Sequence, residues 1–151
     1  MLRVNLDEIL KYLKQSGYAA EIQKETQQIF FILKQDKREF PLFIKIFPDK
    51  MVQLLAFLPC QIKQEQIPSV ARLLHILNRE IIYPGFGMDE KARFAFFRCM
   101  IHNNKDEISE IVLEKSIQQT SDACKNYSPA VEALAIGITQ LEDLLKMSDN
   151  K

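Results

Sequence analysis

Apolar residues at Leu6, Ile9, Leu10 and Leu13 recur at i, i+3, i+4 and i+7, the spacing of a helix with one buried stripe. Asn5 stands where a helix cap is needed, and Glu8, three residues on, is placed to reach back to the Asn5 amide. Gly17 reaches the left-handed end geometry without steric cost, so the pattern predicts a helix over about 6–16. The rhythm then changes. Gln28 to Lys34 (QIFFILK), Phe40 to Phe47 (FPLFIKIF) and Met51 to Leu58 (MVQLLAFL) are runs of aromatic and branched residues, parted by short polar turns at 35–38 and 48–50. They predict three strands joined as an antiparallel meander. Pro41 has no amide donor and belongs at the start or an open edge of its strand.

Strand alternation separates two faces. Phe40, Leu42, Ile44 and Ile46 point one way, and Phe43, Lys45 and Phe47 the other. In the next strand Val52, Leu54, Ala56 and Leu58 oppose Met51, Leu55 and Phe57. Both faces are apolar, whereas a sheet with one solvated face alternates apolar with polar. The second face is covered either by the chain's own helices or by a second copy or a partner segment. Phe43, Phe47, Met51, Leu55 and Phe57 are the residues expected at a partner-binding surface, because large exposed apolar patches mark interaction sites.

Farther on, Ile67-Pro68-Ser69 opens a second helix, with proline suited to its first turn. Val70, Leu73, Leu74 and Leu77 make its apolar face, and Asn78 and Arg79 lie near its end. Tyr83-Pro84-Gly85 breaks any helix. Phe86-Gly87-Met88, a turn at Asp89-Glu90-Lys91, and Arg93 to Ile101 read as a second hairpin. From about Asn104 the pattern is helical to the end. Ile108, Ile111, Val112, Cys124 and Tyr127 mark one segment; Val131, Leu134, Ala135, Ile138, Leu141 and Leu145 mark the next. Between them, Ser128-Pro129 either kinks one long helix or starts a new one with Ser128 as its cap. The order α-β-β-β-α-β-β-α predicts an α+β fold: an antiparallel sheet of about five strands flanked by helices, one domain over 1–151.

The 151 residues carry 20 Lys plus Arg against 20 Asp plus Glu, so the net charge is zero. That argues against nucleic acid as a partner, since such affinity rests on an excess of cations over phosphates. A chain of 17.6 kDa has roughly 7,900 Å² of accessible surface when folded compactly, which leaves room for a real core. The most apolar tract, Met51 to Ile62, is 12 residues long and contains Pro59, too short to span a bilayer, so no membrane insertion is expected. The first residues turn acidic before an apolar stretch forms, unlike an export signal. Cys60, Cys99 and Cys124 are odd in number and widely spaced, which points to reduced, buried thiols in a cytoplasmic protein.

The element order, together with LNREIIYPGFGMDEKARFAFF at 77–97, resembles the type III secretion chaperone-like fold, and within it the YbjN family of bacterial sensory-transduction regulators. An Asn ends the middle helix, an apolar Gly-Phe stretch and an acidic turn follow, and then an aromatic strand. Asn78, Gly85, Phe86, Asp89 and Phe94 to Phe97 are the matching positions. The resemblance implies no catalytic residue and no cofactor. It implies a protein partner, such as a secreted effector or a signalling protein, and a homodimer with Leu73, Leu77 and Phe96 at its interface.

Catalytic chemistry finds little support in the residues. His75 sits mid-helix between Leu74 and Ile76, as a surface or core residue does. His102 and Asp106 share a helical face only if a helix begins early, and two groups fall short of the four ligands of a structural metal site. Gly85-Phe86-Gly87 enters a strand, so no helix N-terminus waits behind it for a phosphate; backbone freedom at a tight turn accounts for it. Two functions remain in view. One is a non-catalytic chaperone or regulator that holds a partner polypeptide. The other is a ligand-responsive regulator with a pocket between the sheet and the C-terminal helix, hinged at Ser128-Pro129.

Overall fold

The structure is a computed structural model that describes residues 1–103 and 105–149. Helix α1 (Leu6–Gln15) begins as expected, with the Asn5 side chain accepting from the Glu8 amide at 2.8 Å. Glu8 does not close the box on Asn5; its carboxylate accepts from the Arg3 amide at 2.7 Å. The helix stops at Gly17 (φ 95°), where the Gly17 and Tyr18 amides donate to the Lys14 and Leu13 carbonyls. That pair of bonds is the Schellman ending that a glycine permits.

Six strands form one antiparallel sheet: β2 (Glu21–Gln23), β3 (Gln28–Gln35), β4 (Arg38–Ile46), β5 (Val52–Gln61), β6 (Phe86–Asp89) and β7 (Phe94–Ile101), in the order β2-β3-β4-β5-β7-β6. Beside it β1 (Leu2–Arg3) and β8 (Glu107–Ile108) pair as a separate two-stranded sheet. The expected five strands therefore become six plus two. The additions are only two or three residues long, too short to show a period. Pro41 lies inside β4 opposite Ile32 of β3, but pairing with β5 begins at Leu42, so its missing amide falls where the sheet is locally open.

Helix α2 (Ile67–Glu80) follows a short 3-10 turn at Gln64–Gln66. Helix α3 runs from Glu110 to Ala135 and packs on β5 and β7, and α4 (Leu141–Asp149) ends the described chain. The helix expected from about Asn104, itself outside the described residues, begins only at Glu110, and Ile108, expected in its stripe, lies in β8. Ile111 and Val112 are exposed, and the inward face of α3 is made by Leu113, Ile117, Thr120 and Cys124 instead. Pro129 sits within α3, so of the two readings it is one long helix that runs through Ser128-Pro129, and no new helix starts there. The break comes later, at Gly137 (φ 82°), whose amide bonds Leu134 while that of Ile138 bonds Ala133. Ile138 consequently leaves the helical stripe and is exposed.

One core joins the three larger helices to one face of the sheet. Ile29, Phe31, Leu42, Ile44, Leu54, Ala56 and Phe97 are buried there against Ile9 and Leu13 of α1, Val70 and Leu74 of α2, and Leu113, Ile117 and Leu134 of α3. Leu73 and Leu77 belong to the same core, at 4% and 7% exposure. This corrects their expected place at a dimer interface: α2 turns its only apolar stripe toward its own sheet.

Candidate partner-binding face

The other side of the sheet is built by the register. Phe30 of β3 stands opposite Phe43, Phe43 opposite Leu55, and Phe57 opposite Phe96 of β7. Four phenylalanines from four adjacent strands thus form a continuous stripe. Ring centroids are 5.1 Å apart for Phe30 and Phe43, 5.8 Å for Phe43 and Phe57, and 6.2 Å for Phe57 and Phe96. The last two contacts are edge-to-face, the arrangement that the ring quadrupole favours. All four rings are half-buried, and none of them packs into the core.

Of the residues expected here, Phe43, Leu55 and Phe57 meet on this face, with Ile32 beside them and Phe96 at its far end. Phe47 and Met51 sit apart at the turn between β4 and β5, where the Phe47 amide donates to the Met51 carbonyl at 2.9 Å and the Lys45 ammonium lies 4.8 Å from the Phe47 ring. Phe30 was missed, although alternation within QIFFILK separates Phe30 and Ile32 from Ile29, Phe31 and Leu33. Phe96, expected at a dimer interface, belongs to the stripe.

The positions of the Gly-Phe pattern are structural. The Asn78 side chain accepts from the Gly85 and Phe86 amides at 3.1 and 2.9 Å, and donates to the Phe86 carbonyl at 2.9 Å. Phe86 is buried edge-on against Phe97 and Tyr127. Asp89 accepts from the Lys91 and Ala92 amides and so closes the hairpin. Gly85 and Gly87 have no positive φ, so the reason expected for them, freedom at a turn, is corrected to close approach. A Cβ on Gly85 would run into the Arg98 carbonyl, and one on Gly87 would come within 2.7 Å of the Phe96 ring.

An open groove of about 810 Å³ lies beyond β6, between the outer edge of β7, the segment Ile82–Gly85 and one wall of α3. Enclosed, hinged ligand space of the kind considered from the sequence is not what this groove offers. His75 and His102 are exposed, and among the described residues no three His, Cys, Asp or Glu side chains group as metal ligands. On the opposite flank Tyr12 and Tyr18 both donate to Glu114, tying α1 to α3.

The thiols are held protonated. Burial pushes Cys124 up to about 12, and raises Cys99 and Cys60 as well. A group with a raised folded pKa contributes stability that is complete below its unfolded pKa, near 9.0 for Cys124, and that is lost as pH rises toward 12. The loss approaches about 1.4 kcal/mol per pH unit for this one thiol. Tyr12 and Tyr18, raised chiefly by burial and also by Glu114, act in the same direction above pH 10. Urea titrations at pH 8 and pH 11 are expected to show a smaller alkaline loss in Cys124→Ala than in the parent. Equal losses would contradict the assignment.

A family model described as "Putative bacterial sensory transduction regulator", YbjN, matches residues 5–133. Among solved structures, the crystal structure of YbjN from E. coli aligns with a TM-score of 0.61 at 9% identity, over 91% of this chain and 93% of that one. A chain of the ExsC–ExsE complex aligns with a TM-score of 0.55 at 12% identity, over 82% and 90%. These likenesses show that the chain shares the α+β fold of both structures, an antiparallel sheet flanked by helices. No curated protein sequence matches. No described helix is long and apolar enough to cross a membrane.

Proposed function

Because the chain belongs to the YbjN family, we propose that it is a non-catalytic protein-binding module, a small chaperone or regulator of the bacterial cytoplasm that holds a partner polypeptide against the helix-free face of its sheet. The observation that carries this reading is the stripe Phe30–Phe43–Phe57–Phe96, a row of large apolar rings left outside the core. Such rings bury much area at little cost in side-chain freedom, which is why they anchor interfaces. The fold match to a chain of the ExsC–ExsE complex adds a protein of this shape that occurs in a two-protein assembly. A secreted effector or a signalling protein is the class of partner this reading implies.

The test is affinity purification from the native cell with crosslinking, read by mass spectrometry. One near-stoichiometric partner crosslinked around Phe43 and Phe57 is the expected result. Crosslinks confined to copies of this chain would replace the partner with a homodimer. The variant Phe43→Asp is expected to cost about 1–2 kcal/mol of stability, since it loses ring packing at a half-exposed site, and to abolish capture. Undiminished capture by a folded Phe43→Asp protein would overturn the assignment of the face.

A further inference from the structure

We propose that the outer edge of β7 from Arg98 to His102 takes an acidic, extended polypeptide segment by strand addition. This deepens the partner-binding reading above and rests on it. The edge is open because its neighbours differ in length. β5 pairs with β7 out to Ile101, whereas β6 pairs only with Phe94 to Phe97. One bond extends that ladder, from the Arg98 amide to the Gly85 carbonyl at 2.8 Å. It also fixes direction. Along a strand, successive residues turn their main-chain groups to opposite neighbours, so Arg98 and Met100 face the β6 side while Cys99 and Ile101 face β5. Upstream of Gly85 the line of β6 stops, since Pro84 has no amide and 81–83 bend away. The Met100 N–H and C=O are left with no strand beside them among the described residues.

An unpaired edge of this kind is a template for another chain. The groove is shaped for one strand, antiparallel to β7, lying where β6 would have continued. Ile82 (88% exposed), Tyr83 (66%) and Val112 (44%) supply apolar contact along it. Charge names the occupant. Arg98, Lys115 and His102 line the groove and no carboxylate does, in a chain whose net charge is zero. Neither Arg98 nor Lys115 has a carboxylate within salt-bridge distance among the described residues. An incoming strand with Asp or Glu on both of its faces supplies what both lack, while its main chain pairs with Met100.

The probe is a blocked hexapeptide of sequence Val-Glu-Glu-Val-Glu-Glu, which carries glutamates on both faces of a strand, titrated into the isotopically labelled full chain and followed by amide chemical shifts. The largest changes are expected at 98–102 and at Lys115, with binding that weakens as salt is raised. The counterpart with lysine in place of every glutamate is expected to bind at least tenfold more weakly, as is the acidic peptide to Arg98→Glu/Lys115→Glu, whose two sites are exposed. Met100→Pro removes the edge donor while sparing the groups that face β5, and is expected to abolish binding. Should that variant misfold, the acidic peptide with its central amides N-methylated asks the same question of the native protein. Equal binding of both peptides, no binding, or shifts confined to Phe43 and Phe57 would overturn the proposal and leave the sheet-face reading standing. Shifts at 98–102 that grow with protein concentration and without peptide would also overturn it, by assigning the edge to a second copy of the chain.

Discussion

Leu73→Glu is expected to unfold the chain at neutral pH. Leu73 is 4% exposed on the inward stripe of α2, packed with Val70, Leu74 and Leu77 in the one core. Removing a buried leucine costs about 2–5 kcal/mol. Placing an ionised carboxylate there adds several kcal/mol more, because nothing replaces the water it loses. Together these match the total stability of a typical domain, about 5–15 kcal/mol. Circular dichroism at pH 7 should show no cooperative thermal transition. Leu73→Ala loses only the packing and is expected to remain folded with a lowered urea midpoint. If Leu73 faced a second copy, the glutamate variant would instead be a well-folded monomer, and that result would contradict the burial of α2.

The contrast between Leu73 and Phe43 shows where the sequence was legible. Period-two alternation separated the two sides of β4 and β5 correctly, since Phe40, Leu42 and Ile44 are buried and Phe43 is not. Helical periodicity likewise found the stripe of α2. Neither pattern says what lies opposite an apolar stripe. Leu73 and Leu77 could be placed at a dimer interface because a helix facing its own sheet and one facing a partner have the same sequence signature. Elements set by tertiary contact were invisible for a related reason. β1 and β8 hold two residues each and exist because Leu2 and Arg3 meet Ile108 and Glu107, more than 100 residues away along the chain. At the C-terminal end the proline left two readings open, and the glycine marks where the helix stops. α3 accommodates Pro129, whereas Gly137 supplies the left-handed residue that its Schellman ending needs. The open β7 edge was hidden too, because it depends on β6 being shorter than β7 and not on any residue that marks it.

Asn78→Ala is expected to destabilise the protein by about 3 kcal/mol, or roughly 10 °C in Tm. The side chain makes three hydrogen bonds to two consecutive residues, accepting from the Gly85 and Phe86 amides and donating to the Phe86 carbonyl. Alanine leaves those part-buried main-chain groups without their partner, at a cost of about 1 kcal/mol each. Among the described residues no strand lies outside β6 to compensate, since it is the edge of the sheet. Asn78→Asp separates the contributions: it keeps the acceptor for both amides but sets a second acceptor against the Phe86 carbonyl, so its melting point should fall between those of the parent and the alanine variant. Hydrogen exchange at Gly85 and Phe86 should accelerate in the same order. A melting point of Asn78→Ala within 1 °C of the parent would show that β6 holds its place without the asparagine. The functional consequence follows from position. β6 covers half of β7 and sets the glycine that meets Phe96, so this side chain fixes both the end of the aromatic stripe and the point at which the β7 edge becomes free. An asparagine at the end of a helix serves here to aim two binding surfaces, and it does so without contacting a ligand.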